Sequence, residues 1–500
     1  MTTAHREVER KFRVPGGFGL PDLASIHGVA RAEARPAFTM RNDYYDTEDL
    51  RLFRWGITLR RREGGPDAGW HLKLPVSGYG EGVRDEIRAP LSTEIPTELL
   101  RIVTPFVRTG SVQRVAGLHT HRTPTLLVDE DGLARIEVVD DHVDIIGGES
   151  FREIEAEALV ATDGGLDDEL LQRVSATLLA AGASPGTTSK AGAALGPRAA
   201  VPPDVSVAPW PDHDAPAADV VHAYLAHHTR RLLLADLALR RDLPDAVHQM
   251  RVSARRLRSG LKVFAPLIDT DWAATLREEL GWMAAGLGLA RDTEVMQERL
   301  DTHAAILDDG DADVARAVID LALATQVLKA EASATAVVDS PRYAQLLDDL
   351  VAGVRRPPFT ARADQPADEV LPLLVAKTFR RLVRRIAALA IDGPSPVWHE
   401  ARIAAKRARY AADAVAPVLG RDMARLAERL ADVTEILGTH QDAHVAQQAL
   451  RSMADEAPPA AAFALGRLVG VEEAAEMADR EAFFTLWPTV AKAARRARVA

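Results

Sequence analysis

Five hundred residues, 47% hydrophobic and 27% charged, are enough for roughly two to four soluble domains with their own cores. The absence of cysteine excludes disulfides and thiolate metal sites, and without a signal-peptide pattern or an apolar run of about 18 residues the expectation is a cytoplasmic protein with no membrane partner. A net charge of −11 and an aromatic content of 5% argue against nucleic acid as a partner, which calls for a basic surface and stacking rings.

The chain opens with strand-like alternation. Glu7-Val-Glu9-Arg-Lys11-Phe, Thr58-Leu-Arg60-Arg-Arg62, His71-Leu-Lys73-Leu, Arg84-Asp-Glu86-Ile-Arg88 and Arg152-Glu153-Ile-Glu155-Ala-Glu157 each repeat every second residue between Gly, Pro and Asp turns, which predicts antiparallel strands. Charges two apart face the same side of a sheet. Two arrangements satisfy that pattern: a closed barrel with a polar, doubly charged interior, or a half-exposed sheet laced by cross-strand ion pairs. In the first, cations grip phosphate oxygens while carboxylates hold a hard divalent ion.

The order Glu7-x-Glu9-x-Lys11, Tyr45-Asp46-Thr47, Leu59-Arg60-x-Arg62, Trp70-x-Leu72-Lys73-x-Pro75, Glu153-x-Glu155-x-Glu157 and Ser189-Lys190 resembles the CYTH family, the triphosphate tunnel metalloenzymes, over residues 4–196. The resemblance implies an eight-stranded antiparallel tunnel that takes a triphosphate with Mg²⁺ or Mn²⁺. It implies Lys11, Arg60, Arg62, Lys73, Arg84, Arg114, Arg122 and Lys190 as substrate ligands. Glu7, Glu9, Glu153 and Glu155 become metal ligands, and Glu7, Glu9 and Lys11 the catalytic group. No tight motif sets the register of Arg84, Arg114 or Arg122.

Residues 197–216 follow, rich in proline (Val201-Pro-Pro-Asp, Ala208-Pro-Trp-Pro), and read as a stiff linker. Domains are therefore expected at 1–196 and 217–496. After the linker the spacing turns helical and Ala, Leu and Arg dominate. One basic helix is written twice, 151 residues apart: His248-x2-Arg251-x3-Arg255-Arg256-x-Arg258, then His399-x2-Arg402-x3-Lys406-Arg407-x-Arg409. At 3.6 residues per turn, 248, 251, 255, 258 and 262 form one stripe, adding Lys262. Residues 248–262 hold no acid, so the local field is strongly positive although the total is negative.

The repeat extends further. Arg230-Arg231 answers Arg380-Arg381, and Leu287-Gly288-x2-Arg291-Asp292 answers Leu437-Gly438-x2-Gln441-Asp442. Two four-helix bundles related by a pseudo-twofold, repeats at about 217–350 and 367–496, are the simplest architecture. The whole chain is thus expected to be α+β multidomain. Asp292 and Asp442, beside Leu-Gly at a presumed helix end, read as capping or arginine-fixing residues.

Matched histidines on paired basic helices resemble the CHAD domain, from Asp219 to Ala494. That resemblance implies inorganic polyphosphate as partner and placement at polyphosphate granules. His248, Arg251, Arg255, Arg256, Arg258, Lys262, Arg380, Arg381, His399, Arg402, Lys406, Arg407 and Arg409 form the candidate site. The histidines are read as phosphate hydrogen bonders, orienting groups, or metal or catalytic residues; Arg at i+3 gives them no ligand partner on their own helix. Lysine usage agrees with both assignments: of eight lysines in the chain, Lys11, Lys73 and Lys190 fall on strand motifs, and Lys262, Lys377 and Lys406 on basic helices.

The expected function is metal-dependent hydrolysis of inorganic triphosphate to pyrophosphate and phosphate, joined to polyphosphate binding. The alternatives are a non-catalytic polyphosphate-binding scaffold, and another triphosphate activity such as thiamine triphosphatase or adenylate cyclase.

Overall fold

The computed structural model describes residues 3–76, 83–159, 161–162, 165–166 and 168–500, with the side chains of 3–4, 161–162, 165–166, 168, 289–292, 294, 309 and 325–332 outside that description. The Asp292 side chain singled out above lies among the latter. Two compact units result, Met1–Asp204 and Val205–Ala500.

In the first unit the elements run β1 (Thr3–Val14), β2 (Arg31–Ala34), β3 (Phe38–Asp46), α1 (Arg51–Arg54), β4 (Thr58–Glu63), β5 (Gly69–Pro75), β6 (Val83–Ala89), α2 (Thr97–Val107), β7 (Gln113–Val128), β8 (Ala134–Ile145), β9 (Ser150–Ala158), β10 (Ala161–Thr162), β11 (Gly165–Leu166), α3 (Asp168–Ala180), β12 (Ser184–Pro185) and α4 (Lys190–Leu195). The order β1-β6-β5-β4-β3-β7-β8-β9 returns to β1 through the β1–β9 ladder, so among the described residues eight antiparallel strands close a barrel.

Closure decides which face of each strand is wet. Along β1, Glu7, Glu9 and Lys11 face inward, while Val8, Phe12 and Val14 face outward into an apolar cluster with Leu171, Val174 and Leu178 of α3. The barrel therefore keeps its hydrophobic core outside, beneath α3 and α2, where Leu99, Val103 and Phe106 are fully buried. The closed form, not the half-exposed sheet, accounts for the charge alternation. From within, α4 lays Ala191 against Tyr44, Leu118 and Val143. The Ser189 hydroxyl caps it by accepting from the Gly192 N–H at 3.1 Å, as the Ser-Lys motif requires.

The start of the proline-rich segment is tied to this unit rather than free. The Asp204 carboxylate, buried, accepts from Trp55 Nε1 at 2.8 Å and pairs with buried Arg108 at 2.5 Å. Asp204→Ala leaves a buried guanidinium without its carboxylate, and should cost about 3–5 kcal/mol. A downward shift of the first unit's calorimetric transition by several degrees is the expected reading.

The second unit is helical: α5 (Ala217–Leu239), α6 (Ala246–Val263), α7 (Thr270–Gly286), α8 (Gly288–Ala304), α9 (Asp309–Val338), α10 (Pro341–Arg355), α11 (Ala367–Ile386), α12 (Ser395–Leu419), α13 (Arg421–Glu456) and α14 (Pro459–Arg496). Pseudo-twofold symmetry is visible in the hydrogen bonds: Ala217 N–H donates to Gln365 O and Ala367 N–H to Ala215 O, both at 2.9 Å. The second repeat is the expected four-helix unit. In the first, the equivalent of α13 is divided into α7 and α8 at Leu287-Gly288, and α10 is added. Leu437-Gly438 lies inside α13 instead of at a helix end, so Asp442 caps nothing. No described helix is long and apolar enough to cross a membrane.

Candidate functional site

The barrel encloses a cavity of about 750 Å³. Strand register sets its lining. Glu9 stands opposite Glu157, Lys11 opposite Glu155 and Arg13 opposite Glu153 across β1–β9. Tyr44 faces Arg60 and Asn42 faces Arg62 across β3–β4, and Arg122 faces Asp141 across β7–β8. Directly opposed residues share a face, so the motifs meet inside. Glu7, Glu9, Lys11, Arg60, Arg62, Lys73, Arg122, Glu155 and Lys190 all line the cavity.

Each cation there is held by carboxylates. Lys73 Nζ is 2.6 Å from Glu7 Oε2, Lys11 Nζ is 2.8 Å from Glu9, and Arg122 forks onto Asp141 at 2.8 and 2.6 Å. Lys190 Nζ sits among Asp141 (2.8 Å), Glu153 (2.5 Å) and Glu155 (2.9 Å). Burial opposes charge on Lys11, but Glu9 and Glu155 outweigh it and hold its pKa above the usual range. Burial likewise opposes ionisation of Glu155, yet Lys190, Lys11 and Arg122 hold it well below the carboxylate range. Glu157 shows the reverse: burial, then the Glu7 carboxylate, push it up to about 8.

Other placements differ from expectation. Arg114 lies outside the tunnel. A register shift between Tyr44 and Tyr45 on the β3–β7 ladder sets Arg114 opposite Tyr45. The bulge turns the side chain to the outer face, where Nε donates to Asp43 Oδ1 at 2.6 Å and 41% of the side chain is exposed. Arg84 faces Glu7 in register, but its Nη1 donates to the Gly56 carbonyl at 2.5 Å and it does not line the cavity. Glu153 sits behind the lining, ion-paired to Lys190.

Several contributing residues carried no motif. Asp141 completes a group with Glu153 and Glu155 whose ligand atoms lie within 4.8 Å of one another. Glu86, fully buried, accepts from His71 Nδ1 at 3.0 Å and Arg88 Nε at 2.6 Å, and reaches Arg60 at 3.4 Å. It therefore orients two cavity cations, Arg60 and Arg88, at once. The alternation Arg84-Asp-Glu86-Ile-Arg88 already placed Glu86 on the charged face.

The tunnel's donors fit a hard divalent cation. Asp141, Glu153 and Glu155 bring ligand oxygens within 4.8 Å of one another, Glu7 and Glu9 line the same cavity, and oxygen-only sets suit Mg²⁺ or Mn²⁺.

In the helical unit the repeated stripes lie on α6 and α12, and Arg255, Arg258, Lys262, Arg381 and Arg407 line a second cavity of about 460 Å³ with Arg277 and Lys377. Burial, then Arg402 and Arg255, depress Lys406 to about 8, which puts Arg255, Arg402 and Lys406 close together. His399 Nδ1 bonds Gln441 Oε1 at 2.6 Å, and Arg251 donates to Gly288 O at 2.8 Å, tying the Leu-Gly segments to the stripes. His248 is half-buried and Arg380 exposed. Two predicted ligands are engaged elsewhere: Arg256 is ion-paired to Asp413, and Arg409 donates to Thr434 Oγ1 at 2.8 Å.

Residues 5–168 match the CYTH domain and residues 223–451 the CHAD domain. An uncharacterised protein of Mycobacterium tuberculosis (strain H37Rv) is 35% identical, over 99% of this chain and 98% of that protein. PptA from Streptomyces chartreusis is 28% identical, covering 55% of this chain and all 100% of its own, at a TM-score of 0.48. The CHAD domain of the plant Ricinus communis is 26% identical over 56% of this chain and 94% of its own, at 0.45. HpAC1 from Hippeastrum, described as revealing a dominant triphosphatase activity, is 17% identical over 37% of this chain and 92% of its own, at 0.26. The eight-stranded charged tunnel followed by the twice-written basic helix, the two domain matches and the full-length relative together make this chain a member of the family that joins a CYTH domain, which acts on triphosphates, to a CHAD domain.

Proposed function

We propose that the tunnel hydrolyses inorganic triphosphate to pyrophosphate and phosphate, and that the helical unit binds inorganic polyphosphate. One observation carries the first half: eight cations, Lys11, Arg60, Arg62, Lys73, Arg122 and Lys190 with Arg35 and Arg88, line one cavity with Glu7, Glu9 and Glu155. Phosphoryl transfer asks a protein for positioning and charge neutralisation and for no covalent nucleophile.

Lys73, Arg60, Arg62, Arg122 and Lys190 grip the phosphate oxygens, exchanging carboxylate partners for phosphate. Glu86 keeps Arg60 aimed inward. Glu7 and Glu9, with Glu153 and Glu155, would hold Mg²⁺ or Mn²⁺, which would supply Lewis-acid neutralisation of the transferred phosphoryl group. Glu9, kept ionised by Lys11 and Lys73 against its burial, orients the water that attacks a terminal phosphorus. The phosphoanhydride bond breaks, and pyrophosphate leaves. Phosphate release from tripolyphosphate with Mg²⁺ tests this, and no release from any triphosphate overturns it.

A second reading has its own observation. Part of the lining is apolar: Pro36, Phe38, Pro66, Pro124, Leu126 and Leu159. That collar suits an organic group on the triphosphate, as in thiamine triphosphate or ATP. Thermal-shift ranking of tripolyphosphate, thiamine triphosphate and ATP separates the two.

The polyphosphate half makes a pH prediction. Lys406, normally near 10.5, titrates at about 8 in the folded protein, so polyphosphate affinity should fall as pH rises through 8 to 9, and Lys406→Arg should flatten that profile. Stability runs the other way: the folded state binds fewer protons than the unfolded between about 8 and 10.5, so this group's contribution improves with rising pH. Titrations and melts across pH 7–10 read both signs. Held by this unit, the enzyme would stay near long phosphate chains while the tunnel consumes short ones.

A further inference from the structure

Across α5–α6 and α11–α12 the repeat of the helical unit is faithful in backbone but not in charge. The 460 Å³ cavity is built from α6, α7, α11 and α12, and among its described lining residues are seven cations, Arg255, Arg258, Lys262, Arg277, Lys377, Arg381 and Arg407, with no carboxylate. None of the seven is ion-paired among the described residues. Lys262 is lowered by burial and by Arg407, Arg277 and Arg381 around it. Seven cations brought together without counter-ions repel one another, so an anion that enters relieves repulsion as well as gaining attraction.

The pseudo-twofold gives this cavity a counterpart with a different lining. Matching the buried faces of α5 with α11 and of α6 with α12 pairs Leu374 with Tyr224, Thr378 with His228, Ser259 with Tyr410 and Lys262 with Asp413. Arg277 is answered by buried Ala427 on α13, and Lys377 by His227. Four of the seven cations keep a cationic match, Arg255 with Lys406, Arg258 with Arg409, Arg381 with Arg231 and Arg407 with Arg256, while Lys262, Arg277 and Lys377 are answered by Asp413, Ala427 and His227.

The replacements also interlock. The Tyr224 hydroxyl donates to the Arg256 carbonyl at 2.8 Å, and its ring meets His228 at 4.4 Å. The Arg256 guanidinium lies 5.2 Å over the Tyr410 ring and pairs with Asp413, which also reaches Arg409 at 3.6 Å. Gly260 admits Tyr224: a Cβ there would stand 2.3 Å from the ring. Burial pushes His228 down to about 3, so it brings no charge near pH 7.

We propose that the helical unit has one seat for a phosphate chain rather than two, the cavity around Lys262, its pseudosymmetric counterpart being plugged by Tyr224 and Tyr410 and neutralised by Asp413. The proposal rests on the polyphosphate reading above and deepens it. A chain bound along the shared stripes is therefore anchored at one end of the pseudo-twofold, with its densest contacts off the axis. Lys262 and Arg277 carry the seat; Arg256, although part of the repeated motif, belongs to the plug.

Binding of long-chain polyphosphate to the full-length protein, measured by calorimetry in EDTA, tests this. Lys262→Glu with Arg277→Glu, both at the cavity wall, should weaken binding at least about tenfold, with tripolyphosphate hydrolysis in Mg²⁺ unchanged. The opposite variant, Tyr224→Leu with Tyr410→Ser and Asp413→Lys, installs the residues of the open side and should bind one more equivalent of tripolyphosphate than the wild type. If the Lys262/Arg277 variant binds long chains as the wild type does, the seat lies elsewhere while the polyphosphate reading stands. A folded Tyr224/Tyr410/Asp413 variant that takes up no extra equivalent overturns the plugged counterpart. If the wild type binds no polyphosphate at all, both readings fall.

Discussion

Glu7→Gln combined with Glu9→Gln is expected to lower phosphate release from tripolyphosphate by about 10³-fold, the scale seen when preorganised charge stabilisation is removed. In the proposed mechanism the two carboxylates are donors for a divalent ion, and they pair with two cavity lysines, Glu7 at 2.6 Å from Lys73 and Glu9 at 2.8 Å from Lys11. Glutamine keeps their size and removes their charge. Turnover and ground-state binding should therefore move in opposite directions. The freed Lys73 and Lys11 keep only their longer contacts, to Glu86 at 4.0 Å and to Glu155 at 3.4 Å, so tripolyphosphate should bind more tightly in EDTA than it does to the wild type, while kcat in Mg²⁺ collapses. Rapid-quench phosphate release and calorimetric binding on the same preparation read the two effects. A parallel fall in both would mean that Glu7 and Glu9 act by holding the barrel together rather than by chemistry.

The second large effect lies in the helical unit. Arg255→Glu with Lys406→Glu places two negative charges where the α6 and α12 stripes approach each other, and should reduce polyphosphate affinity by about 100-fold or more at low salt. The loss should shrink as ionic strength rises, because exposed charge contacts are screened. Tripolyphosphate hydrolysis should not change. Equal loss of binding and hydrolysis would sink the division of labour between the two units.

Much of this was legible before any coordinates. Charges at every second residue forced whole strands to turn one charged face inward or outward, so Glu7, Glu9, Lys11, Arg60, Arg62 and Lys73 entered the cavity as a set. The basic stripes were equally legible, because helical period places 248, 251, 255, 258 and 262 on one face whatever the helix packs against. Arg114 failed for a local reason: one bulge at Tyr44/Tyr45 reversed its face, and period-two reasoning cannot count an extra residue. Asp141 and Glu86 escaped because each gains its role from residues on distant elements, Lys190 and Arg122 for one, His71 and Arg60 for the other.

The sequence by itself therefore determined the polar strand faces, the repeated basic helix and the kind of ligand both favour, since these depend on periodicity and charge along the chain. Only the tertiary structure decided that the sheet closes with its apolar face outward, that Lys190 lies among three carboxylates, and that Lys262 and six further cations gather around one cavity while Asp413, the match of Lys262, pairs with Arg256. Those outcomes turn on which residues from distant segments oppose each other. Ladder closure and helix packing set that opposition, and no single stretch of chain encodes it.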